Sequence, residues 1–268
     1  MNTIEVTASK YSDLFDFAKT AIDETPKFLT GENANTTAKQ VTLLHLVRAG
    51  YLLDATYRLC TQGLATEAMV ILRSLLNLFI DLKWMTSNDA AQRFQRYADF
   101  EVVFNKLTMQ TIIDQGGIWD DIKDDDLTIH DPGFESIKQK YCLKKKKDFL
   151  NWSGNTIFMM ASEKGVDLEK DYRIIYGRLS SIEHTGPDCV RQYLDDSEKG
   201  VTKIKAGPRD ENIDLVLVTA LGYYFDVKAI AHNVFHLDWP NIHTHREEFS
   251  NLQRKYWGGT DRKELTAG

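Results

Sequence analysis

Apolar residues recur along most of this chain with a period of about 3.6, and the breaks between runs fall at glycine, proline and small polar clusters. Tyr11, Leu14, Phe15, Phe17, Ala18 and Ile22 give a first amphipathic segment over residues 10–22. Pro26, Gly31 and the Asn/Thr clusters make residues 24–36 a connection. Val41, Leu44, Val47, Tyr51, Leu52, Ala55 and Leu59 mark the expected buried side of a long helix over residues 38–60. Gly63 breaks it, and a second long helix follows over residues 65–85. So short a break between two long periodic runs predicts an antiparallel helical hairpin. Ser87, Asn88 and Asp89 offer caps for a helix over residues 90–114. Further helices are predicted over residues 155–164, capped by Ser153 and stopped by Gly165, over residues 172–184, and over residues 210–237, stopped by Trp239 and Pro240. A short extended piece is expected at residues 201–205 and a short helix at residues 244–256.

These elements predict an all-α fold, a single-domain bundle of long antiparallel helices. The helical core spans residues 37–240, after an N-terminal helix and connection over residues 1–36 and before a polar tail over residues 241–268. Within the core, residues 114–150 change character. Gly116, Gly117 and the acidic run Asp120, Asp121, Asp124, Asp125 and Asp126 precede Lys138, Lys140 and the lysines at 144–147. This is the pattern of a charged insertion, partly helical near residues 134–141, whose one-signed runs read as solvated faces.

Composition supports the helical reading. The chain has 268 residues, 43% of them hydrophobic, enough for a substantial core, and only 5 prolines and 16 glycines. A net charge of −6 argues against broad, sequence-independent nucleic-acid binding, while leaving room for a local basic patch. Cys60, Cys142 and Cys189 show no CxxC spacing and no secretory signal precedes them, so they read as reduced thiols of a cytoplasmic protein, with Cys60 in the core. No apolar run reaches the roughly 18 residues of a membrane span. Even residues 69–85 carry Arg73, Asn77, Asp81 and Lys83.

The candidate chemistry lies on two helices. Over residues 172–184, wound as a straight helix, Tyr172, Ile175, Tyr176, Leu179 and Ile182 form the packing face. Arg173, Gly177, Ser180 and His184 form an adjacent stripe, a cation, a gap, a hydroxyl and an imidazole in line. Gly186, in the left-handed position after the last turn, and Pro187 end the helix. On the helix of residues 65–85, Arg73, Asn77 and Asp81 make a polar stripe with Trp84 among apolar neighbours, and buried charges need partners. Two readings stay open. Arg73, Arg173, Ser180 and His184 share a cleft for an anion such as phosphate, with Tyr176 beside it and His184 as acid or base, or the same groups fix the register of two helices, His184 capping the last turn. His232 and His236 stand one turn apart without the glutamate of a metalloprotease motif or a nearby cysteine, so neither a metal nor a cofactor is expected. The glycine-rich phosphate loops and the GxSxG elbow are absent.

Gly63, Glu67, Ala68, Arg73 and Ser74, then Trp152-Ser153-Gly154, then Tyr172, Tyr176, Ser180 and His184 resemble the pattern of a large bacterial family of all-helical proteins of unknown function, over residues 40–235. Members often carry an acidic residue four places after the arginine, where this chain has Asn77. Arg178 and His184, with five residues between them, are also similar to the Arg-x4-6-His motif of HEPN nucleases. That similarity implies metal-independent RNA cleavage in a homodimer whose motifs meet at the interface, with RNA or a nucleotide as partner and a stress or defence role. On a straight helix Arg178 stands about 120° from His184 and Arg173 within about 20°, so Arg178 needs a kink near Ser180 and Ser181 to join it. A non-enzymatic binding or regulatory protein is the alternative.

Overall fold

The computed structural model describes residues 3–29, 34–114, 132–144, 151–184, 186, 190–191, 193–198, 201–204, 207–237, 239 and 241–258. The acidic run of residues 120–126, lysines 145–147, Pro187, Cys189 and Pro240 lie outside them. The helices are α1 (Thr3–Lys10), α2 (Ser12–Leu29), α3 (Thr37–Thr61), α4 (Ala65–Thr86), α5 (Ala90–Asp114), α6 (Pro132–Lys140), α7 (Ile157–Ala161) and α8 (Glu169–Asp171). A π-helical turn (Tyr172–Tyr176) runs directly into α9 (Gly177–Glu183). An antiparallel hairpin of β1 (Leu194–Glu198) and β2 (Val201–Ile204), with Leu194 opposite Ile204, precedes α10 (Ile213–Phe235) and α11 (Ile242–Trp257). The fold is all-α, with that hairpin as its one extended excursion among the described residues.

The most apolar helix lies at the centre. Val216, Leu217, Ala220, Leu221, Tyr223 and Tyr224 of α10 are all fully buried, as expected of a helix that is hydrophobic nearly all round. It packs between α3 and α4, with α2 across the same core. The α3–α4 turn closes at Gly63, whose φ is +71° and whose carbonyl accepts a 2.8 Å hydrogen bond from Arg209 N–H in the segment leading into α10.

Three expectations need correction. The buried side of α3 is rotated from the one its apolar residues mark. Leu44 and Tyr51 are each 66% exposed, while Thr42, His45 and Thr56 are buried. Two of these polar residues bond back to their own helix, His45 Nδ1 to Val41 O at 2.8 Å and Thr56 Oγ1 to Leu52 O at 2.8 Å, so their burial leaves those polar atoms partnered. Second, α2 runs through Pro26 to Leu29 instead of stopping at residue 22. Proline costs the helix a hydrogen bond, but Thr25, one residue before, is held by a 2.7 Å hydroxyl contact with Tyr224 and by close approach to Gly50 of α3. Third, Thr156 caps α7, accepting from Met159 N–H, and α7 stops at Ala161. Ser153 instead ties its own turn together, its hydroxyl donating to Asn155 O at 2.9 Å.

The C-terminal helix returns to the bundle. Asp13 of α2 accepts from Lys255 at 2.7 Å and from Tyr256 at 2.6 Å, and Phe249 stacks on Phe17. Beneath it Lys228, 1% exposed, lies over the Trp239 ring at 4.3 Å and 4.0 Å from Glu24, and burial lowers its ammonium pKa to about 8. Cys60 is fully buried, its thiol pushed up to about 12 by burial, which makes it a core residue rather than a nucleophile. Among the described residues no helix is long and apolar enough to cross a membrane.

Candidate functional site

The polar stripe of α4 meets the π turn and α9. Arg73 forms an ion pair with Glu183, donates from Nη2 to Tyr176 Oη at 2.5 Å, and lies over the Tyr176 ring at 4.5 Å. Its side chain is 16% exposed. Tyr176 stacks on Tyr172 with centroids 4.4 Å apart. Farther along α4 the stripe continues inward, and Asn77 Oδ1 and Asp81 Oδ1 are out of solvent with no hydrogen-bond partner among the described residues. Burial pushes the Asp81 carboxyl up to about 7. The ring of Tyr97 on α5 is close enough for the charge of Asp81, after burial, to raise its phenol as well.

The π turn decides which sequence candidates meet. Its wider coil shifts the residues before it relative to α9, so the line of Arg173, Gly177, Ser180 and His184 drawn on a straight helix does not form. Arg173 turns away to Glu169, at 2.8 Å, and lies over the Phe158 ring. Ser180 is half-buried, and its carbonyl accepts from His184 N–H at 3.1 Å. His184 caps α9 with its ring 72% exposed, Nε2 standing 3.9 Å from Glu183. From Gly177 to Glu183 the helix is unbroken, so the kink that would bring Arg178 to His184 is absent and the two leave α9 about 120° apart. Gly186 donates to Ser181 O at 2.7 Å. It thus falls one place later in the C-terminal motif than expected, after a helix that ends at Glu183.

Arg178 borders something else, a cavity of about 170 Å³ between α4, the π turn with α9, and α10. Met69, Leu72, Ile175, Leu179, Leu215 and Val216 supply its apolar walls, and Trp257 of α11 closes one side. Its polar groups are Arg178, Asp171, Thr219, Tyr223 and the indole N–H of Trp257. Tyr223 Oη donates to Asp171 Oδ1 at 3.4 Å, and Thr219 Oγ1 to Leu215 O at 2.6 Å. Among the described residues no carboxylate pairs with Arg178. Nor does any group of three His, Cys, Asp or Glu there suit a metal ion. His232 instead engages Leu237 O through Nδ1 at 2.7 Å.

Sequence reasoning missed Glu183, Asp171 and Trp257. Glu183 was recoverable, because it follows Tyr176 by seven residues on one face and supplies the carboxylate that a buried Arg73 requires. Trp257 lies far along the chain and only the return of α11 brings it in. The Trp152-Ser153-Gly154 turn is architectural. Trp152 packs edge-on against Trp84 and Tyr97, its carbonyl accepts from Arg96 Nε at 2.5 Å, and Gly154 has φ +74°. Glu163 pins the next segment to α4 and α5 through Trp84, Asn88 and Arg93. Burial works against its charge, yet these donors hold its carboxyl below the ordinary value.

An all-helical protein with a polar seam between two helices and an apolar cavity beside it is the class these features define. Residues 39–201 match the model of a family of unknown function (DUF5677), and the chain belongs to that family. This agrees with the resemblance to a family of unknown function, although the match ends at residue 201, in the β-hairpin, where the resemblance runs to residue 235. No curated protein and no solved structure matches the chain. The matched span holds Arg73, Tyr176, Arg178, Glu183 and His184 but not α10 or α11, which form two sides of the cavity.

The seam makes a direct prediction. In a double-mutant cycle of Arg73→Met and Glu183→Gln, chemical denaturation should give a coupling of about 1–2 kcal/mol, reduced from that of a sealed pair because Glu183 keeps solvent contact. Additive single effects would show that the pair does not hold α9 to α4.

Proposed function

We propose that this protein is a non-enzymatic helical binding protein, whose ligand enters the cavity between α4, α9 and α10. The observation that carries the reading is that cavity, apolar along its walls with a few convergent polar groups. The polar seam beside it acts as a brace. Arg73 is already neutralised by Glu183 and engaged by Tyr176, and its Nε–H, without a hydrogen-bond partner among the described residues, is out of solvent, so it has little to offer an external anion. The test is a melting experiment with benzene as a neutral probe, since an apolar cavity of about 150 Å³ suffices to bind it. A rise in Tm with wild type that is absent in Leu215→Trp, which fills the cavity, is expected. No rise at millimolar benzene overturns the reading.

A second reading is a HEPN-like, metal-independent endoribonuclease, with RNA or a nucleotide as substrate and two copies joined as a homodimer. It is favoured by one observation, that Arg178 on α9 and His184 at its C-terminal end are both exposed. Within one chain they diverge, so this reading requires the partner copy to complete the site. RNA cleavage in EDTA by wild type, lost in folded His184→Ala, would establish it over the binding reading. No cleavage by either protein is expected.

A further inference from the structure

Among the features of this molecule, the cavity also specifies what it takes. Its volume of about 170 Å³ is near that of an apolar cavity that holds one benzene ring, so a single ring or a short branched chain fills it and a long acyl chain does not. The walls of Met69, Leu72, Ile175, Leu179, Leu215 and Val216 offer no polar atom from a side chain. Both hydroxyls that reach the cavity are engaged, Thr219 with its own helix and Tyr223 with Asp171. Beside the indole N–H of Trp257, the remaining polar group is the guanidinium of Arg178, which is exposed, without a paired carboxylate among the described residues, and the one cation of the lining there. A planar guanidinium beside an apolar pocket suits a planar carboxylate bound through two parallel hydrogen bonds. Among the described residues Asp171 is the one other charge that borders the space, and it disfavours a second negative group on the ligand.

We propose that the cavity binds a small aromatic or branched-chain monocarboxylate, its apolar part among α4, α9 and α10 and its carboxylate on Arg178. This rests on the binding reading above and names the ligand class. It commits to a plain acid; a zwitterion, whose ammonium would turn to Asp171, is a separable outcome.

The test uses the full chain and fluorine NMR with probes of one shape and different charge: para-fluorotoluene, para-fluorophenylacetate, para-fluorophenethylamine and para-fluorophenylalanine. Wild type should bind the acid about tenfold tighter than the neutral probe, the scale of one charge-assisted contact at a partly exposed site. Arg178→Gln should remove that preference, so that the acid binds no tighter than the neutral probe to the same variant. Leu215→Trp should abolish both, with Ile174→Trp, at an exposed position of the rim, as the second variant if the first does not fold. Equal binding of acid and neutral probe, or a preference for the amine or the amino acid, overturns the ligand class and leaves the binding reading standing. A preference for the acid that survives in Arg178→Gln overturns the role of Arg178. Failure of every probe to bind overturns the binding reading itself.

Discussion

Gly63→Ala is expected to destabilise the protein by about 2 kcal/mol or more, lowering Tm by about 4–8 °C. Two independent costs meet at this position. The φ of +71° lies in the left-handed region, where a Cβ strains the backbone of an alanine. An added Cβ would also stand 2.8 Å from both the N and the O of Arg209. Those are backbone atoms, held in place because Arg209 N–H donates to Gly63 O. Relief of the clash therefore moves the segment that leads into α10, the most buried helix. Gly165→Ala separates the two costs. Its φ is +95°, but an added Cβ meets nothing nearer than Ser87 Cβ at 3.9 Å. Thermal melting of both variants should show the larger loss at Gly63. Equal losses would mean that the turn conformation alone matters and that the contact with Arg209 yields freely.

The same turn shows why the scaffold was legible in the sequence. Long runs of period 3.6 separated by a lone glycine leave few alternatives, and α3, α4, α5, α10 and α11 begin and end within a few residues of their predicted bounds. Faces were harder to read than elements. On α3 the apolar residues Leu44 and Tyr51 point outward while His45 and Thr56 point inward, because a histidine or threonine bonded to its own backbone can be buried at low cost. Pro26 failed as a stop signal for a related reason, since contacts of Thr25 with α3 and α10 outweigh a local preference.

The site was legible only in part. Arg73 and Tyr176 could be paired on stripes, and the need for a partner to Arg73 followed from its burial. The π turn could not be seen. It has no signature in Tyr172-Arg173-Ile174-Ile175-Tyr176, and it alone removes Arg173 from the line that led to Ser180 and His184. A single turn of altered pitch thus changes the meaning of the motif, from four polar groups in one row to a brace on one side of α9 and a cavity with Arg178 on another. The cavity also needs α10 and Trp257, which come from distant parts of the chain.

Asp81→Asn is expected to stabilise the protein, and to do so only above about pH 4. Burial raises the Asp81 carboxyl from 3.8 to about 7 in the folded chain. Between those values the folded state binds more protons than the unfolded state, so stability falls as the pH rises through that window, and the penalty is complete above it. The gap corresponds to at most about 4 kcal/mol. Asp81 is not sealed on all sides, although its Oδ1 is out of solvent, so a gain of about 1–3 kcal/mol at pH 8 is the expected size. Asparagine carries no charge at any of these pH values. Its amide can also turn a donor toward Asn77 Oδ1, one helical turn away and without a hydrogen-bond partner among the described residues. Denaturation of both proteins at pH 4 and pH 8 makes the check. The curves should nearly coincide at pH 4 and separate at pH 8 with the variant more stable. A gain of the same size at both values would assign the effect to packing rather than to charge. A loss at pH 8 would mean that the ionised carboxylate has a partner, and that the seam of α4 carries a negative charge for which the chain has a use.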